Sequence, residues 1–136
     1  MWKEEFRMGN DVVDEQHKTL FEKATDLEGS INAGFDEKKA SIIETIIFLK
    51  NYALKHFTDE EEFAKSVNYS GFNEHQAQHK AFIQTVLAHE KEMKESDFSE
   101  PSVKKFSQTL KLWLLFHVTN SDRKIVGKDP VEYDPS

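Results

Sequence analysis

The sequence contains no cysteine. This excludes disulfides, iron–sulfur clusters, thiolate zinc sites, covalently attached c-type haem and cysteine nucleophiles. Apolar runs extend over only a few residues, so neither a membrane span nor a signal peptide is expected. Glycine (5) and proline (3) are scarce, nothing repeats, and no segment is of low complexity. Basic residues are the minority charge: 18 Lys and Arg stand against 25 Asp and Glu, a net charge of -7. Such an acidic surface argues against nucleic acid and anionic membranes as partners. With 38% hydrophobic and 32% charged residues, the 136-residue chain is expected to be one soluble globular domain, 1–136. A reducing cytoplasm is the expected compartment. What is present in excess is histidine, six in all.

The scarce glycines and prolines punctuate a helical pattern. Residues 1–13 are expected as a short arm, 14–126 as helices, and 127–136 as a coil tail carrying two prolines. Met1 reads as a true start or as the start of an excised domain. Asp14 reads as the cap of a first helix that stops near Asn32-Ala33-Gly34, or as an acceptor that holds a ligand ring, with the cap favoured. Asp36 caps a second helix ending near Lys65, and Ser66 to Gly71 reads as a turn. A third helix begins near Phe72 and fades at Glu95-Ser96-Asp97. Ser99 and Pro101 suit the start of a fourth, which ends before Gly127. Along the first, His17, Leu20, Ala24, Leu27 and Ile31 recur at helical spacing. So do Ile42, Ile46, Leu49, Ala53, His56, Glu60 and Phe63 in the second. The third gives Phe72, His75, His79, Phe82, Val86, His89 and Met93; the fourth gives Val103, Phe106, Leu110, Trp113 and His117. Four amphipathic helices with short connections predict an all-α, antiparallel up-down-up-down four-helix bundle.

Those inward lines carry residues foreign to an apolar core. A single core histidine is usually a hydrogen-bonded one. Five histidines and a glutamate on the core lines need another explanation, because buried polar and charged groups need partners. In the predicted topology, His17 lies near a helix start, His56 and Glu60 near an end, His75 and His79 near a start, and His117 and Asp122 near an end. All seven side chains then converge at one end of the bundle. His56/Glu60 and His75/His79 are i, i+4 pairs, each on one helix face. His117 and Asp122 are i, i+5. On a straight helix that turns the carboxylate away by roughly 140°, so Asp122 reaches around or the helix is distorted there, as by a π-bulge.

Imidazole plus carboxylate without thiolate suits iron, zinc, copper or nickel. Seven ligands are too many for one ion and right for two, with the carboxylates bridging and the imidazoles divided three and two. An added oxygen bridge then leaves one coordination position open, the mark of a reactive rather than a structural site.

Asp14-Glu-Gln-His17, His56-Phe57 with Glu60, His75-Gln-Ala-Gln-His79-Lys-Ala-Phe82, and Trp113-Leu-Leu-Phe-His117 with Asp122 resemble the hemerythrins, above all the bacterial ones. The resemblance covers roughly residues 2–125. It implies a non-haem centre of two iron ions with an oxo or hydroxo bridge. His75, His79 and His117 would hold one iron, His17 and His56 the other, and Glu60 and Asp122 would bridge them. It implies reversible binding of O2, and of small anions, at the open position of the iron held by His17 and His56. The chain would then be an oxygen carrier or store, or the oxygen-sensing domain of a larger receptor with a signalling partner domain, as in chemotaxis. Phe63 stands where a longer aliphatic residue or Met is expected, a departure that bears on pocket shape.

Leu20, Phe21, Phe57, Phe82, Trp113, Leu114 and Val118 lie one helical step from the ligands and are expected to wall the open site with apolar surface. His89, ten residues beyond His79, is roughly 15 Å away along the helix and outside the cluster. Asp59, Glu61 and Glu62 read as a solvated acidic face, Gln76 and Gln78 as off the core line, and Tyr52 as a packing residue. Two other readings compete with oxygen binding. One is a di-iron oxidase or peroxidase, although no Glu stands three residues before any histidine, as catalytic di-iron bundles have it. The other is an iron or zinc buffer without oxygen chemistry.

Overall fold

The computed structural model describes residues 2–134, so Met1 at the head of the arm and Pro135–Ser136 in the tail lie outside the described residues. Four long helices dominate: α1 (Asp11–Asn32), α2 (Phe35–Ser66), α3 (Phe72–Glu95) and α4 (Glu100–Phe116). Among the described residues there is no strand, and the chain forms the expected four-helix bundle. No helix in this range is long and apolar enough to cross a membrane.

The first helix starts three residues before the expected point. Asn10 is its cap: the side-chain oxygen accepts from the Val13 N–H at 3.0 Å. Ahead of it the arm winds one 3-10 turn, Glu4–Phe6, and buries Phe6. Only Ala33 and Gly34 separate α1 from α2. Gly34 has φ 131, a left-handed conformation that suits glycine and forces an immediate reversal. Gly34, not Asp36, occupies the cap position of α2; Asp36 lies in the first turn, where its charge favours the helix dipole. At the α2–α3 turn, a Cβ on Gly71 would sit 2.6 Å from the Tyr69 ring, so no larger residue fits without moving it. The fourth helix starts as the sequence predicts, with Ser99 accepting from the Ser102 N–H and Pro101 in the first turn.

The end of α4 is the unusual element. After Phe116 the chain winds as a π-helix over His117–Ser121, then as a 3-10 helix over Asp122–Val126, and stops at left-handed Gly127. Arg123 fastens this segment to both the arm and the tail. Its guanidinium donates to the backbone carbonyls of Glu5 and Arg7 in the arm and of Asp129 in the tail. The Val131 N–H donates to the Thr119 carbonyl at 3.0 Å, so the tail runs back along the π turn.

One apolar core runs the length of the bundle, including Phe21, Leu27, Ile42, Leu49, Phe106 and Leu110. Full burial of each such side chain contributes roughly 1.5–3 kcal/mol. A smaller cluster of Met8, Val13, Ala64 and Ile125 closes the opposite side of the polar end. Phe63 packs half-buried against this second cluster rather than against the main core. Tyr52 stacks on Phe48, and His89 is half-buried beside the Phe106 ring.

Candidate metal centre

Between the two apolar clusters sit His17 from α1, His56 and Glu60 from α2, His75 and His79 from α3, and His117 and Asp122 from the end of α4. None is more than 3% exposed. Ordinary α-helix brings the i, i+4 pairs of α2 and α3 onto one face. For the fourth pair the π turn does the same: the Asp122 N–H donates to the His117 carbonyl, an i→i+5 bond. That wider turn replaces the misalignment a straight helix would impose. The Thr119 hydroxyl donates to the Leu115 carbonyl, occupying an acceptor within the distortion.

Both carboxylates are divided between the same two sets of imidazoles. Glu60 Oε1 lies 2.6, 3.0 and 3.4 Å from Nε2 of His75, His79 and His117. Its Oε2 lies 3.1 and 3.0 Å from Nε2 of His17 and His56. Asp122 Oδ1 faces His117 at 2.7 Å and His75 at 3.3 Å, whereas Oδ2 faces His17 at 2.8 Å. Two constellations result: Glu60, His75, His79, His117 and Asp122; and His17, His56, Glu60 and Asp122. Glu60 and Asp122 are common to both.

The centre holds more acceptors than protons. His79 Nδ1 donates to Glu61 Oε2 at 2.9 Å. His56 Nδ1 donates to Gln16 Oε1 at 2.8 Å, and the Gln16 amide is oriented by its own donation to Asp59 at 2.7 Å. With the proton on Nδ1, the Nε2 lone pairs of these rings point inward. They face carboxylate oxygens that also offer only lone pairs. His79 Nε2 and His117 Nε2 stand 3.0 Å apart, which requires a proton on one of them or a cation near both. Both Asp122 oxygens are buried without an aligned hydrogen bond. Convergent buried acceptors without enough donors fit metal cations, and the imidazole and carboxylate donors suit iron, zinc, copper or nickel.

Without a metal, protons supply part of that positive charge. Burial pushes His17 and His75 down, but the close Asp122 and Glu60 carboxylates outweigh it and raise each to about 10. His117 is raised in the same way, whereas burial dominates at His56 and lowers it. Burial raises Glu60, yet the charge of His56 and hydrogen bonds from His117 and His17 hold it well below its ordinary value. Asp122 is also lowered: burial and the Glu60 charge oppose ionisation, and the surrounding imidazoles overcome both.

The apolar surroundings are uneven. Phe57 stacks on His79, with centroids 4.2 Å apart, and Trp113 stacks on His117 at the same separation. Phe82 stacks in turn on Trp113 at 3.9 Å. These three aromatics therefore lie against the set of three imidazoles, not chiefly against His17 and His56. Leu20, Phe21, Leu114 and Val118 are fully buried in the same core, and Trp113 is half-buried.

Gln16, Asp59, Glu61 and Gln76 are the participants that the sequence pattern does not reveal. Asp59 and Glu61 are not a solvated face. They sit half-buried at helix seams and accept from Gln16 and His79, while Glu62 alone stays exposed. Gln76 turns back to donate to Glu61 Oε1 at 2.9 Å. The available signal was chemical: a ligand imidazole needs an acceptor for its second nitrogen, so polar residues flanking the ligand lines should be expected to supply one. Asp14 serves the backbone instead, accepting from the N–H groups of Met8 and Gly9.

Residues 8–128 match the Hemerythrin HHE cation binding domain. A bacteriohemerythrin of Clostridium acetobutylicum is 30% identical over 128 residues, 93% of this chain and 98% of that protein. A myohemerythrin of Theromyzon tessulatum is 33% identical over 127 residues, covering 93% of this chain and 91% of the relative. Hemerythrin subunit 1 of Golfingia vulgaris is 28% identical over 128 residues, 94% of this chain and 91% of its own length.

Proposed function

The chain belongs to the hemerythrin family, and we propose that it binds dioxygen reversibly at a non-haem di-iron centre. One iron is assigned to His75, His79 and His117, and the other to His17 and His56, with Glu60 and Asp122 shared. The observation that carries this reading is the division of each carboxylate. One oxygen of Glu60 and of Asp122 faces the three-imidazole set, and the other faces the two-imidazole set. Carboxylates so placed can bridge two cations.

Two iron ions bound there, with an oxo or hydroxo bridge, would supply the electrons that dioxygen takes up and returns. The residues themselves fix the asymmetry. Three imidazoles converge on one side and two on the other, so an ion held by His17 and His56 would have fewer protein ligands and would be the one able to accept an added ligand. The Nδ1 hydrogen bonds of His56 and His79 hold those rings with Nε2 inward and prevent them from turning to solvent. Leu20, Phe21, Leu114 and Val118, together with the aromatic stack of Phe57, Phe82 and Trp113, exclude water and stray proton donors from the centre. A site rich in imidazole and poor in carboxylate favours reversible binding over oxidation of a substrate. Arm, bundle and tail act as one domain, either as a carrier or store of oxygen or as the sensing part of a receptor.

Anaerobic reconstitution with ferrous iron tests the proposal. Two irons per chain are expected, with a visible band that appears under oxygen, disappears under argon and returns. His56→Ala is expected to lose iron, and unchanged iron content would overturn the ligand assignment. Steady oxygen consumption with a reductant would replace the binding reading with an oxidase, and tight colourless zinc with no iron uptake would replace it with a metal buffer.

A further inference from the structure

The imidazoles of the centre are backed unequally. His79 Nδ1 donates to a carboxylate, Glu61, at 2.9 Å. His56 Nδ1 donates to a neutral amide oxygen, that of Gln16, at 2.8 Å. His17 Nδ1 is buried with no partner at all. Among these three rings the order runs from a charged acceptor through a dipolar one to none: the charged acceptor backs a member of the three-imidazole set, and the two-imidazole set has only the amide of Gln16.

Glu61 is held for this task. Its Oε2 takes the His79 proton and its Oε1 takes the Gln76 amide at 2.9 Å, so neither oxygen is free to turn away. Its side chain is only 21% exposed, while Glu62 beside it is exposed. A carboxylate behind an imidazole strengthens electron donation from the opposite nitrogen, and the hydrogen bond is itself of the stronger, charge-assisted kind. Phe57, stacked on the His79 ring at 4.2 Å, keeps water from diluting the effect.

We propose that Glu61 is a positioning residue that acts through His79 to make the three-imidazole iron the more easily oxidised of the two. This rests on the di-iron reading above. The two sides then differ electronically before any ligand arrives. With two irons bound, an added one-electron oxidant would take its first electron from the side of His75, His79 and His117, and the side of His17 and His56 would be oxidised second. Gln16 and Asp59 set the orientation of His56 without lending it a charge.

The test compares Glu61→Gln with Glu62→Gln in the iron-loaded protein. Both remove one negative charge from neighbouring positions, and only the first removes it from behind a ligand. Anaerobic optical titration of the one-electron steps is the main readout. Glu61→Gln is expected to raise the first midpoint potential, with Glu62→Gln close to the parent. Mössbauer spectra of the half-oxidised parent are expected to show one ferric and one ferrous ion, and Glu61→Gln to blur that assignment. Titration of the metal-free protein with ferrous iron gives a second readout, with affinity for one of the two ions about 10–100-fold weaker in Glu61→Gln. Potentials and affinities equal in the two variants overturn the proposal while the di-iron reading stands. A parent protein that does not load two irons overturns that reading, and this proposal with it. Should Glu61→Gln fail to fold, Glu61→Asp keeps the charge but draws it back from His79 and is expected to raise the potential by less; no shift there also overturns the proposal.

Discussion

Asp14 turns its carboxylate back along the chain, where it accepts from the Met8 N–H at 2.8 Å and the Gly9 N–H at 3.1 Å. Asn10 caps the helix in its place, and Asp14, 1% exposed, pins the arm to α1. Asp14→Ala leaves both N–H groups unpaired. The expected cost is about 1–3 kcal/mol, read as a lower urea midpoint with an unchanged slope. Individual residues were legible in the sequence where they broke a pattern. Histidine and carboxylate on an apolar line stand out, and for that reason the seven residues of the centre could be named. Gln16, Asp59 and Glu61 break nothing, because polar residues beside a core line are what any amphipathic helix carries. Their partners belong to other helices, and only the packed seams of α1 with α2 and of α2 with α3 bring them together.

Helices were legible to within a few residues where side chains make the boundary. Ser99 shows the physics: its hydroxyl accepts from the Ser102 N–H and shares a small network with Ser96 and Ser102. Ser99→Ala is expected to destabilise the protein by about 0.5–2 kcal/mol, seen as a lower thermal midpoint with the iron-free optical spectrum unchanged. The start of α1 was harder to read, because Val13 is the one apolar residue its first turn buries and Val12 is left 62% exposed, too little to show a period. The distortion after α4 was visible only as a conflict. The spacing of His117 and Asp122 is wrong for a straight helix, and the π turn resolves it without moving either residue off the centre.

The whole molecule concentrates buried charge at one end, and its metal-free stability should depend on pH accordingly. His17 and His75 have folded values of about 10 against an ordinary 6.5, so they bind protons more tightly when folded. The stability they contribute is complete below about pH 6.5 and is lost as pH rises towards 10. Glu60 and Asp122 are lowered from 4.5 and 3.8, so their contribution is present above that range and is lost on further acidification. Urea midpoints of metal-free protein are therefore expected to be higher near pH 5.5 than at pH 9. A flat or rising profile over that interval would show that the imidazoles are not held as cations. Loading with metal replaces those protons, so proton release should accompany uptake and the alkaline decline should shrink. The arginine clasp has a consequence of another kind. Because Arg123 holds the carbonyls of Glu5, Arg7 and Asp129 at once, the arm around Glu5–Arg7 and the tail around Asp129 run side by side. A short linker could join them, and the bundle could be reopened at Ala33–Gly34, at the far end from the centre. The seven side chains would then be met in a different order along the polypeptide and would still meet in the same place. Their sequence order belongs to the history of the chain, and the centre depends only on where the four helices set them down.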